Sequence, residues 1–256
     1  MKLLKNAGTF ILIVGLFLIG CKKDNNPATN NNQNPPTNPT SNSSGQPLPT
    51  FGGVGNTGGV LATIMFSYTF AGFSADFTMG FASLGVPGVN AGAVSVNGNT
   101  LGTQPAGTAT YYSSFSSTSP SNLNNTNFDG STHSWSVAGG NGIPAFSAGV
   151  TSPTNFSVTA PAQNATISKS SNLAITWDHP TTTDSVLIVM VVGNVVVIKE
   201  GLPNSGSATI QSSDMASMSG SGILQVVRYR YAVSAQGGKN YVVVAEIVKQ
   251  LTITVS

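Results

Sequence analysis

The chain has 256 residues, of which 40% are hydrophobic and only 7% are charged. Ten lysines and arginines stand against eight aspartates and glutamates, and between Asn25 and Ser168 the only charged side chains are Asp76 and Asp129. Nucleic-acid phosphates are bound by clustered basic residues, so this distribution predicts no nucleic-acid partner.

The first twenty residues have the order of an export signal. Lys2 and Lys5 precede the unbroken apolar run Phe10 to Gly20. This run of about eleven residues, at about 1.5 Å per helical residue, is too short to cross a hydrocarbon core of about 30 Å. We therefore expect residues 1–20 to be a cleaved signal peptide.

The only cysteine of the chain follows this run directly. Leu18-Ile19-Gly20-Cys21 resembles a bacterial lipobox, which implies lipidation of Cys21, a mature chain that begins there, and anchoring in a membrane by acyl chains. A lipidated Cys21 has no thiol left for a disulfide bond. The alternative is an ordinary signal peptide with an incidental cysteine.

The start of the mature chain, Cys21 to Asp24, reads C-K-K-D and resembles lipoproteins of Bacteroidota. This resemblance implies an outer-membrane location, at the cell surface rather than on the periplasmic face. Residues 21–50 then form a predicted disordered tether, because Asn25 to Pro49 contains one leucine and no aromatic residue. Its mean reach is roughly 25–30 Å.

The remaining sequence predicts an all-β fold, because short β-branched runs alternate with turn residues and no long stretch has a helical period. Ala93 to Val96 followed by Asn97-Gly98 indicates a strand that enters a hairpin turn. Val186 to Val192 and Val195 to Ile198 flank Gly193-Asn194, and their apolar residues predict a hairpin buried on both faces.

A boundary near Thr151 to Thr154 predicts two consecutive β-sandwich domains, residues 51–153 and 154–256. The second resembles an immunoglobulin-like or fibronectin type III-like sandwich, with a core tryptophan on the strand Leu173 to Trp177. Its other predicted strands are Ser185 to Val192, Val195 to Lys199, Ser207 to Gln211, Ile223 to Val233 and Tyr241 to Val248. The first domain resembles no named family.

Two short motifs suggest ligands but lack the required context. Gly53 to Gly58 matches G-x-G-x-x-G, but a β-branched run follows it where a dinucleotide site needs a helix. Asn125 to Gly130 resembles the start of a calcium loop, but it offers one carboxylate, Asp129, where calcium sites use several hard oxygen ligands. We therefore predict no cofactor and no metal.

His133 and His179 are the only histidines, and Asp178 precedes the second. No G-x-S-x-G elbow is present, and His133 shares a strand face with Trp135, which indicates packing rather than catalysis. The same alternation in Arg228 to Tyr231 predicts buried tyrosines and exposed arginines. The sequence thus predicts no catalytic residue and no enzyme activity.

Four aromatic residues are candidate ligand contacts: Tyr111, Tyr112, Phe128 and Trp135. They lie in a half that is rich in Asn, Ser and Thr, which suits a neutral, hydroxyl-rich ligand such as a glycan. Asp184-Ser185-Val186 resembles the site at which Bacteroidota O-glycosylate exported proteins, so Ser185 is a candidate for modification.

The function predicted from the sequence is that of a non-catalytic, lipid-anchored protein of the cell envelope, with a structural or assembly role. The first alternative is a module that binds a surface glycan or another envelope protein. The second is an exported hydrolase. An exposed aromatic cluster would favour the binding module, whereas a protein-sized apolar patch would favour the assembly component.

Overall fold

The computed structural model describes Pro49, Phe51 and residues 54–70, 73–116, 119–120 and 122–256. The predicted signal peptide, Cys21 and nearly all of the predicted tether lie outside these residues. The described part of the chain consists of strands, turns and one helix of four residues, which confirms the predicted all-β fold class.

The secondary-structure elements follow in chain order. In the first half they are β1 (Thr57–Phe70), β2 (Phe73–Leu84), β3 (Val94–Val96), β4 (Asn99–Thr100), β5 (Gly102–Ala106), β6 (Ala109–Ser113), β7 (Phe115–Ser116), β8 (Ser119–Pro120), β9 (Thr132–Val137) and β10 (Phe146–Thr151). In the second half they are β11 (Val158–Ala160), β12 (Ala165–Ile167), β13 (Leu173–Trp177), β14 (Ser185–Val192), β15 (Val195–Pro203), β16 (Ser207–Ile210), α1 (Ser212–Met215), β17 (Gly220–Gln236) and β18 (Lys239–Val255).

Nine strands form one large sheet, which we call the main sheet. Its order is β15-β14-β17-β18-β1-β2-β6-β5, and β12 lies beside the end of β18. Neighbours are antiparallel except that β1 and β12 both run parallel to β18. β17 and β18 have 17 residues each, so each is about 55 Å long at about 3.3 Å per residue.

The main sheet crosses the predicted domain boundary near residue 153. β1 from the first half pairs with β18 from the second half, from Thr57 opposite Asn240 to Ser67 opposite Lys249. The far end of β18 pairs instead with β12. β17 and β18 are long enough to pair with strands from both halves of the chain. The two predicted sandwiches therefore share one large sheet instead of having separate sheets.

One face of the main sheet, here called the inner face, is covered by two small sheets. The sheet β10-β9-β3-β4 packs over one end, where the rings of Phe146 and Tyr241 are 4.5 Å apart. The sheet β11-β13-β16 packs over the other end. Trp135 from β9 and Trp177 from β13 belong to the single buried cluster that results.

In the second half, the small sheet β11-β13-β16 packs against the main sheet, so this half is a sandwich of two β-sheets. The predicted strands at Leu173 to Trp177 and Ser185 to Val192 coincide with β13 and β14 residue for residue. Trp177 is buried, as the resemblance implied.

The two predicted hairpins are present, and one of them needs a correction. β3 and β4 turn at Asn97-Gly98, both with positive φ, as such a turn requires. β14 and β15 turn at Gly193-Asn194. β14 is almost wholly buried, but β15 is an edge strand of the main sheet and exposes Val196 and Ile198. The prediction of burial on both faces is therefore wrong for β15.

Candidate functional site

The face of the main sheet opposite the inner face, here called the outer face, carries a second buried apolar cluster. Its residues alternate along each strand with those of the inner face, as the two-residue period of a strand requires. The buried members are Val60, Ala62, Ile64, Met79, Phe81, Leu187, Val189, Val227, Tyr229, Val242, Val244 and Val248. The cluster thus crosses five strands, from β14 to β2.

Two described residues upstream of β1 also pack against this cluster. They are Phe51 and Val54, and the ring of Phe51 lies 4.9 Å from that of Tyr231. The chain therefore enters the folded part at one corner of the outer face, near the end of β17.

Exposed large hydrophobic side chains concentrate at the margin of the outer face. Among the described residues six such side chains have 40–53% of their surface accessible. Five pair with outer-face residues: Phe77 with Phe66, Val196 with Val191, Ile198 with Val189, Tyr231 with Val244 and Val233 with Val242. The sixth, Val86, lies in the turn after β2.

Four of the five basic residues of the main sheet lie on its inner face. Each of four pairs with an inner-face residue: Lys199 with Ile188, Arg228 with Ile247, Arg230 with Ala245 and Lys249 with Val226. Glu246, opposite Tyr229 and Ile64, is fully buried on the outer face. The outer face is thus largely apolar, with the carboxyl group of Glu246 near its centre and the hydrogen-bonded side chains of Gln225 and Gln250 on the same face.

A second surface, the hydroxyl face, is the solvent side of the small sheet β10-β9-β3-β4. Ser147, Ser136, Ser95 and Thr100 are paired in register and form one row across its four strands. A shallow depression of 440 Å³ lies here, lined mainly by serine, glycine and alanine together with Asn97 and the buried Trp135. This surface offers hydroxyl groups without an exposed aromatic ring.

The four aromatic residues that the sequence proposed as ligand contacts are not grouped at this surface. Tyr112, Phe128 and Trp135 are buried in the inner-face core. The Tyr112 hydroxyl accepts a hydrogen bond from the Ala91 amide at 2.7 Å. Tyr111 is half-buried against Phe81 on the outer face. Trp135 lies on β9 between Ser134 and Ser136, so the alternation of side chains along the strand turns its ring away from the hydroxyl face and into the core.

His133 is a packed core residue, as the sequence predicted. It is fully buried, with Nδ1 hydrogen-bonded to Thr63 Oγ1 at 2.6 Å and Nε2 to the Asn127 carbonyl oxygen at 2.9 Å. Burial lowers its pKa below the ordinary value. His179 instead lies on an exposed turn, 3.0 Å from the Asp178 carboxylate, so the two histidines occupy different environments.

Arg228 is the main residue whose position the sequence analysis missed. It is fully buried on the inner face, where Nη1 and Nη2 donate to the carbonyl oxygens of Thr154 and Asp178 at 3.2 and 2.7 Å. Its guanidinium carbon lies 4.2 Å from the centre of the Phe156 ring. Arg228 therefore holds the segment from Thr154 to Phe156, which joins the two halves, against the main sheet. The predicted exposure of this arginine is wrong.

A polar row beside Arg228 crosses three strands. Lys249 on β18 donates to the Ser67 hydroxyl on β1 at 2.7 Å, and that hydroxyl donates to the Asp76 carboxylate on β2. Burial lowers the pKa of Lys249. The alternating basic and aromatic residues from Arg228 to Tyr231 drew attention to this part of the sequence. The pattern did not indicate which side of β17 would be covered by another sheet.

The candidate modification site Ser185 is half-buried at the start of β14, with its hydroxyl hydrogen-bonded to Tyr229. The preceding Asp184 is buried and accepts two hydrogen bonds from Arg230, at 2.9 and 2.6 Å. Modification of Ser185 stays a prediction.

The two weak ligand motifs occupy turns. Asp129 accepts a hydrogen bond from the Ser131 amide at 2.9 Å, which caps the turn before β9. Gly55, from the G-x-G-x-x-G match, precedes β1 and Gly58 lies within it, so a strand and not a helix follows the motif. Within the described residues, no three His, Cys, Asp or Glu side chains gather as metal ligands. No helix in the same part of the chain is long and apolar enough to cross a membrane.

The chain matches no protein-family model and no curated protein sequence. The solved structures to which it is similar include two with low identity and a low TM-score. One belongs to a 1.5-MDa bacterial ice-binding adhesin, with 13% identity, a TM-score of 0.22, and coverage of 77% of this chain and 64% of that one. The other is DIP-gamma IG1+IG2, with 8% identity, a TM-score of 0.21, and coverage of 77% and 95%. The chain thus spans less than two thirds of the adhesin structure.

Proposed function

We propose that this protein is a non-catalytic, lipid-anchored component of the cell envelope that assembles with a protein partner through its outer face. Acyl chains on Cys21 hold it in the outer membrane, and the tether presents the folded part at the cell surface. The observation that supports assembly is that, of the six exposed large hydrophobic residues in the described part of the chain, five lie on the outer face. Exposed apolar patches of this kind are typical of protein interaction sites.

The anchor is tested by substitution at the lipobox. Cys21→Ser removes the thiol that would be acylated, so the protein should be released from membranes or stay unprocessed. Fractionation of cells and palmitate labelling measure this, and surface proteolysis of intact cells tests exposure. Equal palmitate incorporation by variant and wild type would contradict the anchor.

Assembly is tested in native outer membranes. Val196→Lys together with Ile198→Lys places two charges on the exposed margin of the outer face, which should dissociate any complex that this face forms. The matched control is Val86→Lys, because Val86 is equally exposed but lies in a turn away from that margin. Native electrophoresis of mild-detergent extracts is the measurement. The same complex in all variants would remove the assembly role.

The hydroxyl face supports a second candidate function, binding of a neutral glycan. Its rows of serine and threonine provide hydrogen-bonding groups without charge, as hydroxyl-rich ligands require. A glycan array with the non-lipidated chain tests this, and Ser136→Val, which removes the central hydroxyl of the row, should abolish the signal. No bound glycan, or binding unchanged in Ser136→Val, would leave assembly as the proposed role.

A further inference from the structure

We propose that the free edge of β15 is a self-association site. A second copy of this chain pairs its own β15 with it, antiparallel, across a two-fold axis normal to the main sheet. This inference rests on the proposed assembly function and names the partner. It follows from the contrast between the two edges of the main sheet and from the main-chain groups, side chains and charges of β15.

The two edges of the main sheet are built differently. β5, at one edge, has five residues and includes Gly102 and Pro105. Proline has no amide hydrogen and glycine weakens a strand, so these residues oppose pairing with a further strand. β15, at the other edge, has nine residues and contains the run Val195 to Ile198, which is entirely β-branched. Of these two edges, β15 is therefore the one suited to accept another strand.

The main-chain groups of β15 point to its free side at alternate residues. The β-turn at Gly193-Asn194 joins Val192 to Val195, and the hydrogen bond that closes such a turn uses the amide of Val195. Amide and carbonyl groups alternate in direction along an antiparallel strand. Val196 and Ile198 therefore direct their N–H and C=O groups away from β14, to the side on which no described strand pairs with β15.

The same two residues expose their side chains. Val196 is 53% exposed and Ile198 is 43% exposed, and both lie at the margin of the outer face. Their neighbours Val195 and Val197 are half-buried and pack against the inner-face cluster. Edge strands of soluble proteins are normally protected by charge, proline or a bulge. Four consecutive apolar residues on an open edge therefore indicate an interface.

A second copy supplies a matching strand and closes the assembly. Pairing β15 with β15 about a two-fold axis uses this edge in both copies and leaves the protected β5 edges at the ends of the joint sheet. The pairing of β15 with β14 is regular from Val195 to Lys199 and irregular beyond it. The regular segment spans about 17 Å. A seam of this length belongs with weak, transient interfaces, so we expect a micromolar dissociation constant.

Side-chain alternation and charge select the register. A two-fold axis normal to the sheet keeps the inner faces of both copies on one side, so the axis must pass through a residue that lies opposite itself. An axis at Lys199 would oppose two lysines, and an axis at Ile198 would place Val196 opposite Glu200. An axis at Val197 instead pairs Val196 with Ile198 of the second copy. The two Lys199 residues are then about 14 Å apart, four residue steps along the seam.

This register satisfies the free main-chain groups. Val196 and Ile198 of the second copy exchange two hydrogen bonds across the seam, and the symmetry-related pair makes two more. Their side chains lie side by side at the outer face and cover one another. Lys199 brings no unpaired charge to the seam, because its Nζ lies 2.8 Å from the Asp214 carboxylate of the same chain.

Cross-linking of the non-lipidated chain that begins at Lys22 tests the register. This form keeps every described residue and contains no cysteine. Val197→Cys should form a disulfide-linked dimer on mild oxidation, because the Cα atoms of a directly opposed, non-hydrogen-bonded pair are about 4.5 Å apart. Lys199→Cys is the matched control and should stay uncross-linked, since its two copies are about 14 Å apart. A disulfide in Lys199→Cys and none in Val197→Cys would overturn this register.

A proline distinguishes strand pairing from side-chain packing. Val196→Pro removes an amide that points to the free side, so the sheet of one copy loses no hydrogen bond while the seam is blocked. The dissociation constant from sedimentation should rise about 100-fold or more, whereas Val196→Thr, which keeps the amide, should raise it less than about 10-fold. An unchanged circular dichroism spectrum serves as evidence that both variants fold.

The outcomes separate this inference from the proposed function. Equal weakening by Val196→Pro and Val196→Thr would overturn strand pairing. A wild type that is monomeric well above the micromolar range, yet enters a larger complex in native outer-membrane extracts, would overturn the second copy as the partner and leave the proposed function standing. A monomer that enters no complex would overturn both.

Discussion

The inner and outer faces of the main sheet are both rich in valine, isoleucine and leucine, yet the chain covers them differently. The inner face is covered by two small sheets from the same chain, and its buried Arg228 has backbone carbonyl partners. The outer face keeps a margin of exposed apolar side chains. The apolar composition of a sheet face therefore indicates that the face is buried, but it does not indicate whether the same chain or a partner buries it.

The largest expected effect tests whether the inner face is the core of the fold. Trp135→Ala should lower the free energy of unfolding by about 3–5 kcal/mol, because it empties a large fully buried site between two sheets. Denaturant unfolding measures this. Ser136→Ala, next along β9 on the hydroxyl face, should change it by less than about 0.5 kcal/mol. A loss below about 1 kcal/mol for Trp135→Ala would mean that this tryptophan is not a core residue.

A smaller loss is expected at the link between the halves. Arg228→Met keeps the approximate length of the side chain but leaves the carbonyl oxygens of Thr154 and Asp178 without their donor. The free energy of unfolding should fall by about 2–3 kcal/mol, because each orphaned buried group costs about 1–3 kcal/mol and the desolvation of the charge is relieved. Arg230→Met is the control, because Arg230 donates its hydrogen bonds to Asp184 and not to the segment that joins the two halves. A neutral Arg228→Met would show that packing alone holds the link.

Two paired valines, one buried and one exposed, test the difference between the centre and the margin of the outer face. Val233 is 46% exposed and lies opposite Val242, which is fully buried. Val242→Thr should cost about 1–2 kcal/mol, because it buries a hydroxyl group, whereas Val233→Thr should cost less than about 0.5 kcal/mol. Thermal unfolding of the monomer at low concentration compares them. Equal losses would indicate that the margin is covered within the chain.

The smallest expected effect is a pH dependence of the free energy of unfolding that arises from His133, which is buried against the inner face. Burial holds the pKa of His133 below its ordinary value of 6.5, so the unfolded chain binds a proton that the folded chain does not. Stability should therefore be full above pH 6.5 and fall as the pH drops below it, by at most about 1.4 kcal/mol per pH unit.

Substitution of His133 separates its contribution to the pH dependence of stability from those of the other titratable groups. His133→Gln should remove that part of the slope, whereas His179→Gln, on an exposed turn, should leave it. Unfolding free energies measured from pH 7.5 to 5 give the slope. An identical slope in wild type and His133→Gln would show that folding does not lower the pKa of His133.

Local patterns in the sequence predicted much of the secondary structure. The strands β13 and β14 and the turns at Asn97-Gly98 and Gly193-Asn194 depend on alternation and on residues that tolerate positive φ, both of which are properties of neighbouring residues. The alternation also placed His133 in the core correctly. It could not place Arg228, because the side of a strand that a small sheet covers is set by residues far away in sequence, such as Thr154 and Phe156.

The sequence by itself predicted the all-β class and the positions of β13 and β14, because each rests on a short contiguous pattern; the expected anchor at Cys21 rests on such a pattern too and stays a prediction. Only the tertiary structure decided that β1 pairs with β18 across the predicted boundary and that β15 is an edge. It also decided that Tyr112, Phe128 and Trp135 are buried in the core. The physical reason is that strand pairing and sheet packing join residues up to about 180 positions apart, such as Ser67 and Lys249, whose contact no local period encodes.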